Sequence, residues 1–216
     1  ARAADAGHVE ARVQLARMRL YGIADASDPA AAVQDLLRAE ADGHAGAGCL
    51  LATIALGGLA LPRDGGINRR LLGAVNAGNP QALRAAAIHF GRKPNADDQA
   101  LCMQMLDAAA KAGDAAAAAL LAERLAHGEG VDADPAAADD LWRQLQAHGL
   151  SPLPACSAPM PIAAASPPRQ LAIEEVLQPI PARSLSTRPA VAVIDGLLSR
   201  EECRLLMLSA QPFLQP

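Results

Sequence analysis

Aromatic side chains are almost missing from these 216 residues: Tyr21, Phe90, Trp142 and Phe213 are the whole set. A surface that stacks nucleic-acid bases needs several such rings, so that class of binder is excluded. A positive excess is missing too. Nineteen Lys and Arg stand against 23 Asp and Glu, a net charge of −4, whereas nucleic-acid binders carry a basic stripe. Cysteine is sparse. Cys49, Cys102, Cys156 and Cys203 lie far apart, with no C-x-x-C pair and no zinc spacing. They read as unbridged thiols in a reducing, cytoplasmic setting. One long uncharged run exists, the 17 residues from Ala45 to Leu61. Gly57-Gly58 interrupts it, and it reads as part of a soluble helix, not a membrane span. No signal peptide is visible. The chain begins Ala1-Arg2-Ala3 without methionine, as a fragment or trimmed chain does.

Alanine and leucine are what the chain has in quantity, and hydrophobic residues make up 51% of it. Alanine is the best helix former and loses no side-chain entropy on ordering. A mostly helical protein with closely packed helices is expected. Its organisation is repetitive. Gly7, Gly43, Gly78, Gly113 and Gly149 are spaced by 36, 35, 35 and 36 residues, which marks four units. Each opens on a small turn: Ala-Gly-His, Asp-Gly-His, Ala-Gly-Asn or Ala-Gly-Asp. Four residues after the glycine stand Ala11, Ala47, Ala82 and Ala117. Eight after it stand Leu15, Leu51, Ala86 and Leu121, and nine after it Ala16, Ala52, Ala87 and Ala122. Seven before the next glycine stand Leu36, Leu71, Leu106 and Trp142. Small residues at fixed helical positions let helices approach, and the larger ones supply a buried stripe. Asp28-Pro29 and Asp134-Pro135 look like helix starts, with Asp as cap and Pro at the first helical position. The closing glycine suits the left-handed residue after a helix. Each unit therefore reads helix A, loop, helix B, turn. Such a pair buries its stripe only by stacking on its neighbours. The predicted fold is mostly α: an α-α superhelix, or solenoid, of four helix pairs.

Unit four runs Leu125-Ala-His-Gly128-Glu-Gly130-Val131-Asp-Ala-Asp134-Pro and on to Trp142 and Gly149. It resembles the Sel1-like repeat, a relative of the tetratricopeptide repeat with a G-x-G-V-x-x-D loop and Trp or Leu in helix B. Unit one keeps Leu20-Tyr21-Gly22 and the Asp-Pro cap. Unit two keeps Gly58 but rearranges its loop to Pro62-Arg-Asp-Gly-Gly66. Unit three diverges most, with Gly91 and Pro94 in the loop. The resemblance implies a protein-interaction scaffold over residues 1–150, binding a protein or peptide on its concave face.

Residues 151–189 hold nine of the 16 prolines and read as an extended linker. Gln170 to Leu177 fits a short helix or a strand. A polyproline ligand is disfavoured, because no basic residue flanks a P-x-x-P core cleanly. From residue 190 the character changes. Ala190-Val-Ala-Val-Ile194 is consistent with a strand, Asp195-Gly196 with a turn, and Ser199-Arg-Glu-Glu202 with a capping box. A helix should follow with Cys203, Leu206 and Met207 on one face. A strand without a sheet exposes unpaired backbone groups, so this stub is expected to be mobile or loosely docked.

Val193-Ile-Asp-Gly-Leu-Leu-Ser-Arg-Glu-Glu-Cys203 resembles the opening of prolyl-4-hydroxylase-like 2-oxoglutarate/Fe(II) dioxygenases, where a strand ends in D-x-F-L-S before a helix starting x-E-E-C. Leu197 stands where Phe is usual. The resemblance makes residues 190–216 the truncated start of an oxygenase-like domain. For the parent protein it implies Fe(II) and 2-oxoglutarate, with or without ascorbate. In that family iron is held by H-x-D and a distal His. Here His8, His44, His89, His127 and His148 all precede the segment, and no H-x-D occurs. No catalytic, cofactor-binding or metal residue is therefore assigned within the 216 residues, and such a core would follow Pro216. Two functions stay open. One is the interaction region of a dioxygenase, docking its protein substrate or regulator. The other is a non-enzymatic repeat adaptor. Neither calls for a nucleic acid or a membrane. The acidic group Glu129, Asp132, Asp134, Asp139 and Asp140 reads as one cap and a solvated helix start. His8-Val9-Glu10 reads as solvated surface. Arg12, Arg17 and Arg19 read as a partner-facing edge or an ordinary solvated face.

Overall fold

The computed structural model describes residues 2–23, 26–58, 60–61, 66–154, 166–173, 175 and 180–214. The chain forms two compact units, Ala1–Leu83 and Arg84–Pro216. The first contains α1 (Arg2–Asp5), α2 (Val9–Tyr21), α3 (Pro29–Ala41), α4 (Ala45–Gly57), α5 (Gly66–Asn76) and the start of α6 (Pro80–Gly91). The second contains the rest of α6, α7 (Ala96–Lys111), α8 (Ala115–His127), α9 (Pro135–Leu145), β1 (Arg183–Thr187), β2 (Ala190–Val193) and α10 (Arg200–Ala210). Helices α2, α4, α6 and α8 are the expected A helices, and α3, α5, α7 and α9 the B helices.

The repeat columns now have physical roles. The five spaced glycines all have left-handed backbones, with φ of 89°, 83°, 73°, 90° and 70° in chain order, a region glycine enters at no steric cost. The residue after the glycine caps helix A. His44, Asn79 and Asp114 each accept the backbone N–H three residues on, while His8 makes no such bond. Asp28 and Asp134 cap α3 and α9 ahead of their prolines, as expected. The alanines nine after each glycine are buried, as are Leu36, Leu71, Leu106 and Trp142. Ala11 and Leu15, in the first repeat, are half-buried. In the first unit Val13, Val33, Leu36 and Leu51 share one core with the small residues Ala16, Ala32 and Ala47. Three helices, α2, α3 and α4, thus bury a stripe that no single one covers.

Two expectations for the C-terminal segment are corrected. The strand at Ala190 is present as β2, but it is paired. It runs antiparallel to β1, with Arg183 opposite Val193 and Thr187 opposite Ala190. That partner lies inside the stretch read as linker. Arg183-Ser-Leu-Ser-Thr187 has too little apolar or β-branched content to announce a strand, and its ladder bonds come from β2. Helix α10 does begin with the expected capping box, Ser199 and Glu202 bonding reciprocally. Its buried face, however, is Glu201, Arg204 and Leu208, whereas Leu206 is 58% exposed and Cys203 and Met207 are half-buried. The reason is charge pairing, described below.

No disulfide joins Cys49, Cys102 or Cys203. Cys156 lies outside the described residues, as do 62–65 of the second loop. Of the stretch Gln170 to Leu177, Gln170 to Ala172 is neither helix nor strand, Ile173 and Glu175 are 3-10 helical, and residues 174, 176 and 177 lie outside the described residues. Among the described residues no helix is long and apolar enough to cross a membrane.

Candidate polypeptide-docking site

The columns that agree between repeats are packing columns. A column that disagrees does the holding. Eleven residues after each opening glycine stand Met18, Ile54, His89 and Arg124, all in the last turns of an A helix. In the second unit His89 and Arg124 each hold a separate stretch of the chain's own C-terminal third.

Arg124 holds α10. Its guanidinium meets Glu201 at 2.6 Å, with side chains 2% and 3% exposed. It also donates to Gln99 and to the Met103 sulfur. Arg204, one turn along α10, donates to both Glu129 oxygens at 2.6 and 3.0 Å. Arg200 donates to Glu129 at 2.7 Å, and Glu202 accepts from Arg92. Burial alone would raise the Glu129 carboxyl, but Arg204 and Arg200 outweigh it and hold that carboxyl below its ordinary value. Glu201 goes the other way: burial pushes it up, and Arg124 and Arg204 pull back only part. Space is tight around this cluster. A Cβ on Gly91 would stand 3.1 Å from the Glu201 Cγ and 3.2 Å from the Cys102 sulfur. One on Gly130, itself left-handed, would stand 2.9 Å from Arg124. The acidic group therefore divides. Asp134 is a cap, Asp132, Asp139 and Asp140 are exposed, and Glu129 is no solvated residue but the anion between two arginines.

His89 lies under a strap, the segment 166–173. Its Nε2 is 3.4 Å from both the Gln170 carbonyl oxygen and the Ala172 amide. Among the described residues its buried Nδ1 has no hydrogen-bond partner. Burial first, and the Lys93 charge second, hold the imidazole below its ordinary pKa. Lys93 donates to the Gln170 carbonyl at 2.8 Å, and Asp98 accepts the Arg169 amide at 2.7 Å. At the rim, Arg169 pairs with Asp97 at 3.0 Å.

In the first unit the same column is apolar. Ile54 lines an open groove of about 550 Å³ with Leu20, Pro29, Ala30, Thr53 and Gly57, and Met18 is 39% exposed. Two of the α2 arginines form intramolecular pairs, Arg12 with Asp42 at 2.5 Å and Arg19 with Asp35. Glu10 is exposed but paired, 2.8 Å from the His44 ring. The hydrogen bonds from Gln14 and His44 hold its carboxyl below the ordinary range.

Among the described residues no three His, Cys, Asp or Glu side chains come together to hold a metal ion. The Met–Ile–His–Arg column escapes sequence self-comparison because that method rewards identity. Its signal is the opposite, a register position whose chemistry changes from unit to unit.

No protein-family model and no curated protein matches the sequence. Solved structures do match. One is a protective antigen present in uropathogenic Escherichia coli strains that displays an SLR fold. It is 19% identical, with a TM-score of 0.56, over 69% of this chain and 32% of that one. Another is a Sel1 repeat protein from Oxalobacter formigenes, 20% identical with a TM-score of 0.57, over 68% of this chain and 61% of that one. The chain thus spans less than two-thirds of either. At these identities the likeness establishes the fold: mostly α, a solenoid of Sel1-like helix pairs with a small two-stranded sheet.

Proposed function

We propose that the chain is a protein-binding repeat module in which the ends of the A helices hold other polypeptide. The observation that carries this is the shared register of His89 and Arg124, each gripping a different segment through its side chain. In repeats one and two the same position is Met18 and Ile54, and Ile54 lines an apolar groove suited to a large apolar side chain of a partner protein. Peptides selected on the whole chain from a displayed library test this. Those selected should bind an Ile54→Arg chain at least about tenfold more weakly, equivalent to 1.4 kcal/mol, with helical content unchanged. An empty selection, or peptides indifferent to Ile54→Arg, overturns it.

The finer reading assigns residues 190–216 to the opening of a prolyl-4-hydroxylase-like 2-oxoglutarate/Fe(II) dioxygenase domain, with the repeats docking its protein substrate or regulator in the cytoplasm. The Val193–Cys203 resemblance supports it, together with a strand leading into a box-capped helix. Sequence following Pro216 that contains H-x-D and a distal His would favour it. Sequence without them favours the adaptor. The 216 residues alone should form no succinate from 2-oxoglutarate with Fe(II), and turnover would overturn that expectation.

A further inference from the structure

The second unit spends buried ionisable groups on the main chain of the strap. Asp98 has no exposed surface and Lys93 is 1% exposed, yet their strap partners are an amide and a carbonyl. A charge is costly to bury, and residues that only had to fill space here would be apolar. Lys93 forms no ion pair among the described residues. Its ammonium is satisfied by the Gln170 carbonyl and by the Phe90 ring, 5.4 Å to the centroid. Contacts of this kind read backbone and accept many sequences. Selectivity comes from three side-chain features. Pro168 presets a β-turn over Pro167 to Gln170, closed by the Gln170 amide donating to the Pro167 carbonyl at 3.2 Å, Arg169 reaches Asp97, and Ile173 is buried at the far end. The strap does not fit without strain. Arg169 has φ of 63°, the left-handed region that non-glycine residues seldom enter.

We infer that Ser166–Ile173 is the resident occupant of a site for turn-forming Pro-Pro-Arg segments of partner proteins, and that such a partner engages by displacing it. This rests on reading the repeats as polypeptide-binding, and it adds the ligand class and a built-in competitor. A tethered occupant acts at an effective concentration on the order of millimolar, which sets a threshold that weak ligands do not pass.

The probe is the end-blocked peptide Ser-Pro-Pro-Arg-Gln-Leu-Ala-Ile, titrated against the whole chain and against a chain with residues 166–173 replaced by Gly and Ser at equal length. Binding should be at least about tenfold tighter to the replaced chain. A full-length Arg169→Ala chain, whose strap has lost its Asp97 partner, serves as the second host should the replacement not fold. In whichever host is used, Asp97→Lys should weaken the peptide, and a peptide with Glu in place of Arg should regain binding to that variant. A purely structural strap would give no such charge-swap rescue. Equal affinity for wild type and host, no binding to a folded host, or failure of the rescue overturns the inference. The Ile54→Arg outcome stands apart from all three, so the two readings fail separately.

Discussion

Arg124 and Glu201 are 77 positions apart in sequence and 2.6 Å apart in space, both almost wholly removed from water. Their pairing fixes which face of α10 turns inward. It also makes the last repeat a receptor for the chain's own C-terminal helix. Charged residues dock α10: Glu123, Arg124 and Glu129 on α8 and the loop after it, and Arg92 just after α6.

Removing one partner of this pair leaves an uncompensated buried charge, which costs about 3–5 kcal/mol. Arg124→Met and Glu201→Leu should each destabilise the second unit substantially in urea unfolding. Arg124→Met combined with Glu201→Leu should recover much of the loss. A coupling of at least about 1 kcal/mol is expected for two groups in contact, because Gln99 and Arg204 still hold part of each site. Additive single effects would show that the pair is not what holds α10.

Local chemistry is legible without coordinates, and long-range chemistry is not. Asp28, Asp134 and the Ser199–Glu202 box announce helix starts because cap and amide lie three residues apart. The buried alanines and leucines announce themselves by recurrence. Glu201 and Arg204 look like a solvent face until Arg124 and Glu129 are brought opposite them, more than 70 residues away in sequence. Strand β1 is silent for the same reason. The strap is hidden by composition: Pro167-Pro168-Arg169 looks like spacer, and only Asp98, Lys93 and His89 show that it is held.

Glycine replacements separate backbone freedom from steric need. Gly73 sits inside α5 with nothing within 4 Å of an added Cβ. Gly73→Ala should stabilise the first unit by about 0.5–1 kcal/mol. Gly91→Ala places the same methyl against Glu201 and Cys102 and should cost about 1–3 kcal/mol. Urea midpoints of the two variants should therefore move in opposite directions, and a shared direction would contradict the packing described.

Cys102 is fully buried beside Arg124 and Glu201, and burial pushes its thiol up to about 12. Thiolate is the reactive form, so Cys102 should resist iodoacetamide at pH 8 until the protein is denatured. Cys203, half-buried on α10, should be labelled earlier. Mass mapping of the alkylated peptides reads the order directly, and early labelling of Cys102 would mean that α10 leaves its seat in the native protein.

Acid should loosen the strap through His89. Its folded pKa lies below its ordinary value because burial and Lys93 disfavour the imidazolium, against weaker support from the Gln170 carbonyl, Glu175 and Asp98. The unfolded chain therefore takes up this proton first. Above about pH 6.5 the ring is neutral in both states, and the stability tied to it is fully present. As pH falls from there through the folded value, that stability is lost, by at most about 1.4 kcal/mol per pH unit. Glu201 has the opposite sign, since its raised folded value favours the folded state as it protonates. Comparing wild type with His89→Gln isolates the histidine part. Wild type should lose stability faster between pH 6.5 and 5, and the Arg169 and Ala172 amides should gain hydrogen exchange there beyond the intrinsic pH effect. Parallel stability curves for the two proteins would remove His89 from the grip on the strap and leave it to Asp98 and Lys93.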